Sequence, residues 1–385
     1  MSPRSAAELP VADPAVDPDR ARLQQLGYKQ ELKRGLSLLS NFAFSFSIIS
    51  VLAGVTTTYN TGLRYGGPAS MTLGWLVVAA FNGCVALSMA EICSAYPTSG
   101  GLYYWSAKLA GKEWAPLASW VTGWFNIVGQ SEETKNAAWS GPMGIVVSVA
   151  LSSVFGWIYL VALTSIVTNI PSLLDPSNDA GGNAIAQALY TIFQTRFGSG
   201  AGGIVCLAAM AVAIFLCGTA SVTSNSRMGY AFSRDGAMPF SRVWYRVNKQ
   251  EVPFNVVWLS VSVAFVMALT SLGSQVAFQA MVSITTLGMY IAYALPIFFR
   301  VTAARRSFVP GPFHLGRYGV AVGWVGVLWV ALVTVLFCLP VAYPVVEANF
   351  NYTPVAVGGV LLLSLAAWAL HARFWFRGPV TNVDA

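Results

Sequence analysis

Apolar runs alternate with short polar segments along nearly the whole chain. The runs fall at 37–61, 70–95, 142–167, 203–222, 255–272, 276–299, 320–341 and 354–370. At ~1.5 Å per residue, runs of about twenty residues match the ~30 Å hydrocarbon core of a bilayer. One run breaks the order. Ala115 to Gln130 begins as another membrane helix, then passes into Ser131-Glu132-Glu133-Thr134-Lys135-Asn136 without a helix-end signal. Its length of roughly 24 Å is too short to cross. The pattern predicts an all-α polytopic membrane protein with eight apolar helices, or nine if the short run is forced across. A polar tail precedes the first run. Asn183 to Phe197 carries helical apolar spacing inside the long polar loop 169–202, which predicts an amphipathic helix at the membrane surface.

Composition agrees and removes several function classes. The chain is 56% hydrophobic and 10% charged, against about 25% charged in soluble domains. The net charge of +7 needs no nucleic-acid partner, because loops on the cytoplasmic side of membrane proteins collect Lys and Arg. Cys84, Cys93, Cys206, Cys217 and Cys338 all lie in apolar runs, without CxxC spacing. His314 and His371 stand apart from any ligand partner. Neither a metal site nor a cofactor is expected, and no nucleophile elbow, phosphate loop or paired catalytic carboxylate points to an enzyme.

The distribution of cations sharpens the anomaly. The N-terminal tail holds six Lys and Arg, loop 224–252 five and loop 300–319 four, whereas loops 62–68 and 169–202 hold one each and 273–275 and 342–353 none. High and low counts alternate, which places the tail and the rich loops in the cytoplasm. Loop 96–114 must then be inside and loop 169–202 outside. An odd number of crossings must separate them, yet two apolar stretches lie between. Short 115–130 is the one expected not to cross, since the other choice would put loops 224–252 and 300–319 outside.

Two places carry unusual polar chemistry. The first span holds Ser45, Ser47, Ser50, Gly54, Thr56, Thr57 and Thr58 in its middle. Such residues serve either as a packing face of small side chains or as an unwound segment lining a substrate site. Glu91 lies near the end of the second span, where it is either solvated at the interface or part of an ion pair or gate. Asn351-Tyr352-Thr353 is a glycosylation sequon, followed unfavourably by Pro354.

Glu91, then Tyr96-Pro97 and Gly100-Gly101-x-Tyr103-Tyr104-Trp105, resembles the first cytoplasmic loop of the amino acid–polyamine–organocation permeases. Ser224 to Pro239, with Arg227, Ala231, Arg234-Asp235-Gly236 and Pro239, resembles that superfamily's loop after its eighth helix. Thr57-Thr58-Tyr59-Asn60-Thr61-Gly62 and Gly123-Trp124-Phe125-Asn126 are similar to the plant bidirectional amino-acid and GABA permeases. The resemblance implies a twelve-helix fold of two inverted five-helix repeats plus two further helices, here incomplete. Residues 37–130 correspond to the first, second and part of the third helix. Residues 131–141 form a junction, and 142–370 correspond to the seventh to twelfth helices. Tails at 1–36 and 371–385 are cytosolic. The end of the third helix and all of the fourth to sixth are missing, as in an alternative splice form or a defective gene model.

The resemblance further implies alternating-access transport of amino acids, GABA among them. The expected unwound segment is Leu52-Ala53-Gly54, with the amides of Ala53, Gly54 and Val55 on a substrate carboxylate and Thr56 beside them. Leu52 departs from the family's small-residue pattern. Glu91, Gly100, Gly101, Arg227, Arg234, Asp235 and Gly236 are expected at the cytoplasmic gate. The partner broken helix is absent, so this form is expected to be impaired; the rival is a non-transporting variant that associates with full-length permease. Amino-acid substrate and lipid are the expected partners, in the plasma membrane or an organelle membrane.

Overall fold

The computed structural model describes residues 43, 46–98, 100–126, 137–167, 169–249, 252–271, 275–340, 344–345 and 350–380. The N-terminal tail and most of the junction, 127–136, lie outside them. Eleven principal helices follow in order: α1 Val51–Tyr65, α2 Gly67–Ala95, α3 Gly101–Leu109, α4 Ala115–Asn126, α5 Ala137–Ser165, α6 Ala184–Phe197, α7 Ala201–Arg234, α8 Phe254–Ser271, α9 Gln275–Val301, α10 Gly319–Cys338 and α11 Thr353–Leu370. No strand occurs among the described residues.

Six helical stretches have membrane length and apolarity: Gly67–Ala95, Trp139–Ser165, Ala201–Arg234, Ala280–Val301, Gly316–Cys338 and Thr353–Leu370. Phe254–Leu269 is a shorter apolar helix. α1 is the described part of the first apolar run, whose beginning lies largely outside the described residues. The protein is therefore an integral multi-pass membrane protein, and the eight long runs account for all of these helices.

Helix ends follow local chemistry. Pro68 sits in the first turn of α2, where its missing N–H costs nothing. Asn183 caps α6 by accepting from the Ala186 N–H at 3.1 Å, and Gly198 closes it in a left-handed conformation, φ 71°. The expected surface helix is thus present at almost the expected bounds. It turns back into α7 through a hairpin so close that a Cβ on Gly200 would stand 2.1 Å from the Tyr190 ring.

The pairing of α2 with α5 settles the geometry across the junction. The Trp75 indole N–H donates to the Ser153 carbonyl at 2.8 Å, and Gly156 lies under the same ring. At the other end, Gly141 lies against Cys93 Sγ. The start of α2 therefore meets the second half of α5, and the end of α2 meets the start of α5. The two helices are antiparallel neighbours. Between them the chain makes no net crossing, because α4 has 12 residues, roughly 18 Å of helix, and α5 begins level with the end of α2. This agrees with the cation count.

Every later helix alternates from there. α6 lies at the far end of α1, where Asn60 donates to the Gly182 carbonyl and accepts from the Ala184 N–H, each at 2.9 Å. α7 returns alongside α1. α10 runs antiparallel to α2, with Phe81 stacked on Trp329 at 4.6 Å between ring centroids and the Trp329 indole donating to Asn82 at 3.0 Å. α11 brings the C-terminus back beside α4, the Trp120 indole donating to the Ser364 carbonyl at 3.0 Å. One face thus collects the loops rich in Lys and Arg, and the other holds Arg64 and Arg196 among the described residues. The rich face is the cytoplasmic one.

Candidate functional site: a broken helix and a cytoplasmic latch

The α1 break lies at Ser50. Residues 46–49 are helical, Ser50 takes a left-handed conformation at φ 36°, ψ 68°, and α1 starts at Val51. A left-handed residue without the freedom of glycine costs energy and is held only where its surroundings demand it. The Ser50 N–H still donates to Phe46 O at 3.0 Å, and Ser50 O accepts from the Gly54 N–H at 2.9 Å. The opening amides of the helix are therefore those of Val51, Leu52 and Ala53, which have no acceptor one turn back.

This revises the expected set. Ala53 keeps an amide in the first turn. Gly54 spends its own on Ser50, and Val55 lies within continuous helix. The Thr57 and Thr58 hydroxyls donate to the Ala53 and Gly54 carbonyls at 2.9 and 2.8 Å. Thr56 turns towards α5 and α7, with its hydroxyl 3.1 Å from that of Tyr159 and 3.7 Å from Met210 Sδ.

α1 has two unlike faces. Val51, Val55, Tyr59 and Leu63 pack with Leu160 and Leu163 of α5 and Ile185 of α6. Leu52, Gly54, Thr57, Thr58 and Thr61 are exposed. A Cβ on Gly54 would meet nothing within 4 Å.

The cytoplasmic residues form a separate, dense layer. Glu91 is 2% exposed. Its Oε2 lies 3.5 Å from Arg300 Nη2, and its Oε1 accepts from the Leu315 N–H at 3.2 Å. Arg300 lies over the Phe308 ring, 3.9 Å from its centroid. The loop between α9 and α10 is pinned again where Ser94 Oγ accepts from the Phe313 N–H at 2.9 Å. Gly311 and Gly319 permit this closeness. A Cβ on Gly311 would stand 2.3 Å from Ser94 O, and one on Gly319 would stand 2.9 Å from both Glu91 carboxylate oxygens. Of the two readings for Glu91, the buried ion pair is the one present.

A second knot joins the two sequence motifs. The Tyr103 hydroxyl donates to Asp235 Oδ2 at 2.8 Å, and Arg234 Nε lies 3.1 Å from Asp235 Oδ1. Burial pushes the Asp235 carboxyl above its ordinary value of 3.8, against the pull of Arg234, of Tyr103 and of the Val380 backbone N–H. Gly101 and Gly236 make the turns, at φ 50° and 80°, and a Cβ on Gly100 would stand 2.8 Å from Tyr104 Cβ. Arg227 is partly buried on α7, about two turns before this knot. Tyr103, Trp120, Met228, Phe232 and Phe376 form the apolar core around it.

Sequence reasoning singled out Glu91 and Asp235 and missed Arg300 as the partner of the first, the pairing of Tyr103 with the second, and the Ser94 contact to the strap. Only Pro310-Gly311-Pro312 hinted that the 300–319 loop is a shaped strap and not a plain linker. The Asn351 side chain of the sequon donates to Phe337 and Leu339 carbonyls at 2.6 and 2.8 Å.

A polytopic helical protein with an interrupted first span, its ends tied by buried polar knots on the cytoplasmic side, has the build of a membrane permease. The amino acid permease family matches residues 36–130 and 121–362, and the chain belongs to that family. It is 49% identical to the amino-acid permease BAT1 homolog of Oryza sativa subsp. japonica over 502 residues, covering 96% of each chain. It is 46% identical to the amino-acid permease BAT1 of Arabidopsis thaliana over 504 residues, covering 96% of this chain and 98% of that one. A GABA-specific permease of Saccharomyces cerevisiae is 26% identical over 502 residues, covering 95% and 86%. This chain has 385 residues, so alignments of that extent leave a block of each relative without a counterpart. The two family matches overlap at 121–130, within the truncated run.

Proposed function

We propose that the chain is built for amino-acid transport by alternating access and is impaired in this form by the block it lacks after α4. The substrate carboxylate sits on the opening amides of α1, of which Ala53 is the last, with Gly54, Val55 and Thr56 following it along the helix. Helix N-termini favour anions through their free N–H groups and partial positive charge. The observation that carries this reading is the break at Ser50 beside an α1 face left open at Gly54. Carriers hold substrates near the midplane between discontinuous helices, and here one side of that arrangement has no partner. Glu91–Arg300 and Tyr103–Asp235 act as the cytoplasmic gate, with Gly100, Gly101, Arg227, Arg234 and Gly236 shaping it. GABA is a candidate substrate, supported by the likeness to the yeast GABA-specific permease.

Uptake of labelled amino acids, GABA included, by transporter-deficient cells tests the reading. This chain is expected to give background uptake, and a version carrying the corresponding block of the rice relative is expected to transport. Equal uptake by both would refute the impairment and the incomplete site together.

A second reading has an observation in its favour. Residues 261–269 of α8 are exposed on every side. A helix with so much exposed apolar surface suits a non-transporting variant that associates with full-length permease. Co-purification of tagged chain with the full-length relative in detergent supports that reading; separate elution removes it.

A further inference from the structure

The segment between α7 and α8 is a compact structure with an unusual surface. It contains a one-turn helix, Ser241–Trp244. The Trp244 indole N–H donates to the Pro239 carbonyl at 2.8 Å. Asn255 of α8 donates to the Val243 carbonyl at 2.7 Å. Asn248 closes a second turn, its N–H donating to Val252 O and its Oδ1 accepting from the Val252 N–H, both at 3.0 Å. These bonds hold the segment in one shape.

That shape turns apolar side chains outward. Phe240 is 80% exposed and is held at φ 56°, a conformation costly for an aromatic residue. Val243, Tyr245, Val247, Val252 and Phe254 are also exposed. Interleaved with them are the exposed Arg242, Arg246 and Lys249. From Gly236 to Lys249 the sequence has no acidic residue. No carboxylate pairs with these three cations among the described residues, whereas the neighbouring Arg234 is paired with Asp235.

Position decides what such a surface meets. The segment joins the cytoplasmic end of α7 to the cytoplasmic start of α8, so it lies where two spans enter the bilayer. Aromatic and aliphatic side chains at that depth enter the boundary between headgroups and acyl chains, and cations beside them meet lipid phosphates.

We propose that residues 238–249 form a docking surface for anionic phospholipid headgroups of the cytoplasmic leaflet. Phe240, Val243 and Tyr245 insert as an apolar wedge. Arg242, Arg246 and Lys249 take the phosphate and carboxylate charges. The contact ties the gate knot at Asp235 to the membrane surface, since Asp235 and Phe240 are separated by only four residues.

The test uses the whole chain in nanodiscs of phosphatidylcholine, alone or with phosphatidylserine. Amide hydrogen exchange is followed in residues 240–249. Exchange is expected to be roughly tenfold or more slower in the anionic discs, at ~1 kcal/mol of attraction per cation near such a surface. The difference should shrink in high salt. It should vanish in a Arg242→Gln, Arg246→Gln, Lys249→Gln variant whose α2 and α10 exchange is unchanged. Equal exchange in the two discs would overturn the proposal, as would protection that survives loss of the three cations. Protection that appears only after a soluble acidic protein is added would also overturn it.

Discussion

The two halves of this molecule are packed very differently. In α2, 39% of the most apolar window is buried inside the protein, and in α7 only 6%. α2 is clasped by α5 and α10 through Gly156, Gly319 and Gly326, and its end is buried under the 300–319 strap. α8 and the part of α7 before Ala220 are largely exposed or half-buried, and α1 exposes the side carrying Gly54, Thr57 and Thr58. Small and hydroxyl-bearing residues on membrane helices belong against other helices or a cavity. Here they face neither among the described residues. On the proposed reading the missing block is a one-sided loss, one that spares the cytoplasmic layer and takes neighbours from the helices around the broken span.

The largest expected effect restores those neighbours. With the rice relative's block inserted after Gln130, impermeant labelling of a cysteine placed at Thr57 or Thr58 should fall, and uptake should rise from background to a readily measured rate. A cysteine at Glu113, on the cytoplasmic side, should label equally in both forms. If Thr57 and Thr58 stay as reactive as before, the exposed α1 face is not where the block packs, and the contrast between the halves has another origin.

Part of this contrast was legible from the chain alone. Hydropathy is a local signal, so most long runs appeared with nearly their final bounds, although α7 continues as helix to Arg234 where a basic loop from Ser224 was expected, and the cation count agrees with how α2 and α5 face each other across the junction. The motifs around Glu91 and Asp235 are contiguous in sequence and were found for the same reason. What depends on tertiary contact was not legible. Arg300 is just another cation in a basic loop until α9 brings it to Glu91. Gly54 is the better helix breaker by propensity, yet the break is at Ser50. The open faces of α7 and α8 could not be read at all, since apolar runs look alike whether lipid or protein covers them.

The second effect in size probes the packed half. Glu91→Ala leaves Arg300 buried without its counter-charge, and breaking one side of a buried pair costs about 3–5 kcal/mol. Arg300→Met combined with Glu91→Gln should cost much less than the two changes summed, because the pair is removed together. Thermal unfolding in detergent measures both. Additive losses would mean that the 3.5 Å contact contributes little and that the strap is held by Ser94 and the glycines.

A smaller loss is expected from overfilling the same layer. In Gly123→Ala the new Cβ would meet the Phe232 ring at 2.3 Å, and Phe232 is fully buried among Tyr103, Trp120 and Trp124. Overpacking of this kind costs about 1–3 kcal/mol. Gly54→Ala, on the open face of α1, should cost nothing measurable and even gain a few tenths from helix propensity. Equal penalties at the two glycines would erase the distinction between the halves.

The finest test concerns the proton on Asp235. Burial holds this carboxyl above its ordinary value, so the folded protein binds the proton more tightly than the unfolded chain. The resulting stability is complete below about pH 4, the usual carboxylate value, and is lost as pH rises through the raised folded value. Asp235→Asn cannot titrate, yet its side chain can still accept from Tyr103. The midpoint of thermal unfolding of the unaltered protein should therefore fall relative to the variant as pH increases from 4 towards 7. A difference that stays constant over this range would mean that Arg234 and the Val380 N–H fully offset the cost of burial, and that the knot is as indifferent to pH as the apolar core around it.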